Sequence, residues 1–122
     1  MRELSFGKAI HEATALCMRR DPSVYVMGLG VPDPKGIFGT TLGLQEKYGP
    51  DRVLDTPTSE NGTTGIAIGS CLTGMKPILI FQRIDFALLA LEEIVGQAAK
   101  WHYMFGGQRS IPLVLRMIIG RG

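Results

Sequence analysis

Four short, largely apolar runs constrain the fold of this chain more than any other feature: Val24–Met27, Val53–Asp55, Pro77–Phe81 and Pro112–Met117. Each has the length of a strand, and helical patterns or polar turns separate them. Two of the runs, Val24–Met27 and Pro77–Phe81, show no polar alternation. Strands that stay apolar on consecutive residues are buried on both faces, as in a parallel sheet covered by helices on either side. The alternation therefore predicts an α/β domain of three layers, α/β/α, with a mostly parallel sheet. The 122 residues suffice for one domain, spanning 1–122.

The helical segments lie between these runs. Phe6, Ala9, Ile10, Ala13, Leu16 and Cys17 recur at three- and four-residue spacing, with Ser5 as N-cap and Asp21-Pro22 as the stop. Leu42 to Tyr48 reads as a short helix closed by Gly49-Pro50. Gly62 to Thr73 reads as a helix with Ile66, Ala67, Ile68, Cys71 and Leu72 inward and Gly74 as its C-terminal cap. A third long helix is expected from Phe86 to about Tyr103, capped by Asp85. Its first two turns are apolar all round, which predicts burial on every side and, in so small a domain, burial against a partner subunit. The last strand runs into Ile118-Ile119-Gly120-Arg121-Gly122. A glycine-rich segment after a strand ordinarily leads into a further element, so the architecture is expected to be incomplete at its C-terminus.

Composition excludes several function classes. A formal net charge of +2, dispersed along the chain, is too weak for a nucleic-acid footprint. The only adjacent basic pair, Arg19-Arg20, falls at a helix end, where cations are favoured. The longest wholly apolar runs are about six residues, too short to span a membrane. The N-terminus has no apolar signal core. Cys17 and Cys71 sit on the apolar faces of predicted helices in no metal-like spacing, so both are expected to be buried free thiols of a reducing cytoplasm. His11 and His102 have no carboxylate or cysteine at ligand spacing, and no metal site is expected. His11 is expected at the surface or its boundary.

Two segments can carry chemistry. Gly28-Leu29-Gly30 follows a strand, but position 33 is Asp33 rather than a third glycine, and Pro32 and Pro34 prevent a helix from following directly. A dinucleotide fingerprint is therefore not made. Glu60 follows a strand and a polar turn at the start of a helix. The helix dipole alone explains a carboxylate there. The same placement also puts it at the carboxyl end of a strand, where α/β sheets bind ligands.

Four runs in order, Asp55–Glu60, Asp85–Ala90, Gln97–Trp101 and Tyr103–Gln108, resemble the beta subunit of the thiamine-diphosphate-dependent component of 2-oxo acid dehydrogenase complexes, the family of pyruvate, branched-chain 2-oxo acid and acetoin dehydrogenases. The resemblance covers Arg2 to Gly122 and only the N-terminal domain of such a subunit, its transketolase-like pyrimidine-binding domain. It implies that Glu60 is the glutamate that hydrogen-bonds N1′ of the cofactor's aminopyrimidine. A carboxyl group sharing a proton with N1′ favours the imino form of the 4′-amino group, which then serves as the base for the C2 proton. The resemblance further implies that Phe86 packs against the aminopyrimidine and that Gln82 and Thr58 line its pocket.

It also implies partners. These are an alpha subunit that holds the diphosphate and its Mg²⁺, a second beta subunit, and the lipoyl acyltransferase that receives the acyl group. The implied activity is oxidative decarboxylation of a 2-oxo acid, by a heterotetramer to which this chain contributes part of the site. Two departures stand out. The family's Gly-Glu-Asp is Gly28-Leu29-Gly30 here, so the acidic pair associated with coupling between paired active sites is missing. The family's His-Ser-Gln motif and the alpha subunit's Gly-Asp-Gly motif are also absent from the sequence. A transketolase-like or synthase-like enzyme domain shares the same pyrimidine-binding architecture. A truncated domain that only binds a partner is the non-enzymatic reading.

Overall fold

The computed structural model describes residues 2–119. Its centre is a sheet of four strands: β1 (Val24–Met27), β2 (Val53–Leu54), β3 (Lys76–Phe81) and β4 (Val114–Met117). They lie in the order β2-β1-β3-β4, and all three neighbouring pairs are parallel. Val26 stands opposite Val53 on one side and Ile78 on the other, and Ile80 stands opposite Arg116.

All four residues of β1 are buried, as its uninterrupted apolar run requires. Its side chains alternate between two cores. Val24 and Val26 join Met18, Val31, Ile37, Leu44, Val53 and Ile80 on one face. Tyr25 and Met27 join Ala67, Leu79, Phe81, Ala87 and Ala90 on the other. Helices α1 (Phe6–Arg20) and α2 (Leu44–Tyr48) cover the first face, and α3 (Glu60–Leu72) covers the second. This is the three-layer α/β/α architecture.

The local signals mostly act as read. Ser5 caps α1, its Oγ accepting the Lys8 N–H at 3.4 Å, and Arg19 and Arg20 occupy the last turn. Gly74, at φ +95°, closes α3. Its N–H donates to the Cys71 carbonyl and the next N–H, of Met75, to the Ser70 carbonyl, which is the Schellman arrangement. His11 lies at the boundary, its Nε2 2.8 Å from the Leu42 carbonyl oxygen.

Several expectations are corrected. The buried residues of α1 are Thr14 and Met18, so its inward face is rotated from the apolar count and Cys17 is exposed. Thr14 can be buried because its hydroxyl donates to the Ile10 carbonyl at 2.8 Å. Cys71 is buried as expected. In α3, Ala67, Ile68 and Cys71 are buried but Ile66 is 64% exposed.

The segment from 86 to 103 is not one helix. It begins as α4 (Ile84–Ala87), tightens to a 3-10 turn at Leu88–Ala90, widens to a π-helix at Glu93–Ala98 and ends as α5 (Trp101–Met104). The wide turn is seen in the Ala99 N–H, which reaches back five residues to the Ile94 carbonyl at 3.0 Å. Gly96 sits inside it, and glycine weakens an ordinary helix by about 1 kcal/mol. Asp85 does not cap α4. It lies in the first turn and pairs with Arg83, the N-cap residue, at 2.9 Å. Within the chain the apolar turns are not buried all round. Ala87 and Ala90 face the core, while Leu88 and Leu89 are 68% and 64% exposed.

Gly120 to Gly122, where the sequence suggests a continuing element, lie outside the described residues. Among those residues no helix is long and apolar enough to cross a membrane. No group of three or more histidine, cysteine, aspartate and glutamate side chains is arranged to hold a metal ion among them.

Candidate functional site

The sheet order places a topological switch point between β1 and β3, because the chain goes from β1 outward to β2 and then returns to β3 on the other side. In open α/β sheets ligands bind beyond the carboxyl ends of the strands at such a point. A cleft lies there. Leu29 lines it from the turn after β1, Thr56 and Pro57 from the segment after β2, and Gln82 from the position after β3. Glu60 and Thr63 enter from the first turn of α3, and Phe86 from α4.

The backbone that shapes the mouth of the cleft depends on two glycines. A Cβ on Gly28 would stand 2.4 Å from the Ile80 carbonyl oxygen, so only glycine allows β1 and β3 to approach so closely. Gly30 has φ +72°, in the left-handed region, and a Cβ there would meet Gln82 Nε2 at 2.9 Å. Gln82 Nε2 itself donates to the Leu29 carbonyl at 3.1 Å.

Glu60 opens α3. Its backbone carbonyl accepts the Thr64 hydroxyl at 2.7 Å and the Thr63 hydroxyl at 3.2 Å. Its side chain is half-buried, stands at the positive end of the helix, and no other described residue hydrogen-bonds or ion-pairs with its carboxylate. An acceptor of this kind, in a cleft that Phe86 and the carboxamide of Gln82 also line, can bind a ring nitrogen whose ring is covered by apolar surface. The donor set therefore fits an aminopyrimidine. The enclosed space is only about 20 Å³, room for roughly one water. A ring must accordingly sit at the mouth, against these side chains.

Three of the four residues singled out from the sequence, Glu60, Gln82 and Phe86, thus meet in one cleft. Thr58 does not line it. The Ser59 N–H donates to the Pro57 carbonyl at 2.9 Å, a three-residue turn that makes Thr58 its exposed apex. Thr56, Pro57, Thr63 and the β3 residues Leu79, Ile80 and Phe81 also line the cleft without having been singled out for a site role, as does Leu29, where the family's acidic pair is missing. The signal for Thr56 and Pro57 was their place directly after a strand.

The fold and the cleft define a class. The chain belongs to the transketolase pyrimidine-binding domain family, whose model matches residues 2–122. It is 42% identical over 115 residues to pyruvate dehydrogenase E1 component subunit beta-2, mitochondrial, of Oryza sativa subsp. japonica, covering 94% of this chain and 31% of that protein. It is 42% identical over 114 residues to pyruvate dehydrogenase E1 component subunit beta of Rickettsia felis, covering 93% and 35%. It is 44% identical over 131 residues to the beta subunit of acetoin:2,6-dichlorophenolindophenol oxidoreductase of Cupriavidus necator, covering 99% and 38%. The chain spans about a third of the length of these relatives.

Proposed function

We propose that this domain supplies the aminopyrimidine half of a thiamine-diphosphate site in a 2-oxo acid dehydrogenase component. The supporting observation is the convergence of Glu60, Gln82 and Phe86 on the cleft at the β1/β3 switch point. Glu60 holds a proton between its carboxyl oxygen and N1′ of the ring, Phe86 packs on the ring, Gln82 fixes its edge, and Thr58 stands at the rim. Thiamine diphosphate, when bound, supplies the carbon nucleophile that attacks the oxo group. The carboxylate of Glu60, which no other described residue engages, favours this assignment, because its oxygens are free to accept from a group outside the chain.

The remaining machinery comes from partners. An alpha subunit holds the diphosphate and Mg²⁺, a second beta subunit completes the assembly, and a lipoyl acyltransferase takes the acyl product of oxidative decarboxylation. Both cysteines are free thiols, which suits a reducing compartment such as the cytoplasm. The test is 2-oxo acid decarboxylation by the chain assembled with its alpha subunit. Glu60→Gln removes the proton shared with N1′ and should lower kcat by about 10²-fold or more. A Glu60→Gln assembly with activity within about threefold of wild type would remove Glu60 from this role. The chain alone, given thiamine diphosphate and Mg²⁺, should not turn over substrate.

A further inference from the structure

A second carboxylate stands one residue before the cleft wall, at Asp55, and the hydrogen bonds it accepts come from backbone. Asp55 is the residue after β2. On its β2 side, β1 donates alternate N–H groups: Val26 to the Arg52 carbonyl at 2.9 Å and Gly28 to the Leu54 carbonyl at 3.2 Å. The next in that series, Gly30, donates to Asp55 Oδ1 at 2.8 Å. The side chain thus continues the ladder by one rung where the backbone of β2 turns away. The same oxygen accepts the Thr56 N–H at 3.0 Å, which ties down a residue of the cleft wall.

The Gly30 N–H and the Leu29 carbonyl belong to one peptide unit. A trans peptide is planar, with its N–H and C=O pointing in opposite directions. Directing the N–H at Asp55 therefore turns the carbonyl toward β3, where it accepts Gln82 Nε2 at 3.1 Å. One rigid plane links the carboxylate on the β2 side to the carboxamide on the β3 side. With Nε2 committed to Leu29, Gln82 keeps Oε1 as an acceptor for a ligand. Gly30 has no Cβ to push that carboxamide aside.

We infer that Asp55 is a positioning residue: through the Leu29–Gly30 peptide it sets the orientation of the Gln82 carboxamide in the cleft. Its consequence for a bound aminopyrimidine rests on the function proposed above. The orientation itself does not.

The test reads the two separately. In ¹⁵N-labelled 122-residue chain, the Gln82 carboxamide signals, identified by their loss in Gln82→Ala, should be resolved and shielded from exchange. Asp55→Ala should move them to the values of a free glutamine. Asp55→Asn, which keeps an acceptor at Oδ1, should leave them as in wild type. Should Asp55→Ala fail to fold, Asp55→Ser replaces it: its shorter side chain can still serve the Thr56 N–H but does not reach Gly30, so Gln82 should again be released. Unchanged Gln82 signals in a folded Asp55→Ala or Asp55→Ser chain overturn the inference. Titration of the alpha-subunit assembly with thiamine diphosphate and Mg²⁺ gives the second readout. Asp55→Ala, Gln82→Ala and the double variant should each weaken binding by the same factor, about tenfold for one lost hydrogen bond. Losses that multiply in the double variant overturn the link between the two residues. A wild-type assembly that does not bind thiamine diphosphate sinks the proposed function, and the carboxamide signals still decide the role of Asp55.

Discussion

Replacing Arg52 by methionine should destabilise the domain by about 3 kcal/mol, and the structure shows why. The Arg52 guanidinium reaches three backbone carbonyls: Met18 at 2.8 Å, Asp21 at 3.0 Å and Val24 at 2.6 Å from Nη2, with Nε also 3.2 Å from Val24. Met18 is in the last turn of α1, and the residue four positions on is Pro22, which has no N–H to offer. The Met18 carbonyl therefore depends on Arg52. The Asp21 carbonyl also accepts the Val24 N–H at 3.2 Å, so it loses least. Two carbonyls left without this donor at about 1.5 kcal/mol each give the estimate. Loss of the guanidinium over the Tyr48 ring, 5.5 Å from its centroid, adds about 0.5 kcal/mol.

Methionine keeps much of the volume and removes only the donors and the charge. Urea unfolding followed by circular dichroism measures the loss against a total stability of about 5–15 kcal/mol. Arg52→Lys should recover less than half of it, since lysine has no Nε–H for Val24 and its ammonium ends one bond short of the Nη2 that reaches all three carbonyls. An Arg52→Met chain within about 0.5 kcal/mol of wild type would refute the reasoning, because such a value is that of a plain surface substitution.

Two further outcomes follow from the charged and thiol groups. Iodoacetamide at pH 8, read by peptide mass spectrometry, should label exposed Cys17 and spare Cys71, whose thiol burial pushes up to about 11; native-state labelling of Cys71 would contradict this. Hydrogen bonds from Lys76 Nζ, at 2.6 Å, and from the Ser23 hydroxyl and N–H hold the Asp21 carboxyl well below the usual carboxylate range. Its contribution to stability is fully present above its unfolded value, near 4, and is lost as the pH falls through the depressed folded value. Asp21→Asn should therefore make the acid limb of a stability-against-pH curve shallower, and an unaltered limb would exclude Asp21 as its source.

The sequence made some of this legible and hid the rest for physical reasons. β1 and β3 were readable because burial on both faces leaves an uninterrupted apolar run. β2 is two residues long, and only the polar turn after it marked its end. The resemblance marks out Glu60, Gln82 and Phe86, which share the cleft; periodicity says nothing of Gln82. Thr58 is the exposed apex of a three-residue turn, beside the cleft rather than in its lining, and residue type carries no trace of that turn. Cys17 was misplaced because α1 buries Thr14, a polar residue that satisfies itself within the helix. The π-helix left no signal beyond Gly96. Arg52 and Asp55 were invisible, since both act on backbone groups, and such bonds leave no pattern in residue type.

The strand order also sets a schedule. Every residue that lines the cleft, from Leu29 to Phe86, is synthesised before β4. Chains emerge at about 5–20 residues per second, so β4 follows the last cleft residue by a few seconds. During that interval the outer edge of β3 has no partner, and its apolar run is a template for any other strand nearby. β4 contributes no wall to the cleft. It covers the strand from which Gln82 extends, so its late arrival closes the period in which β3 is open to mispairing.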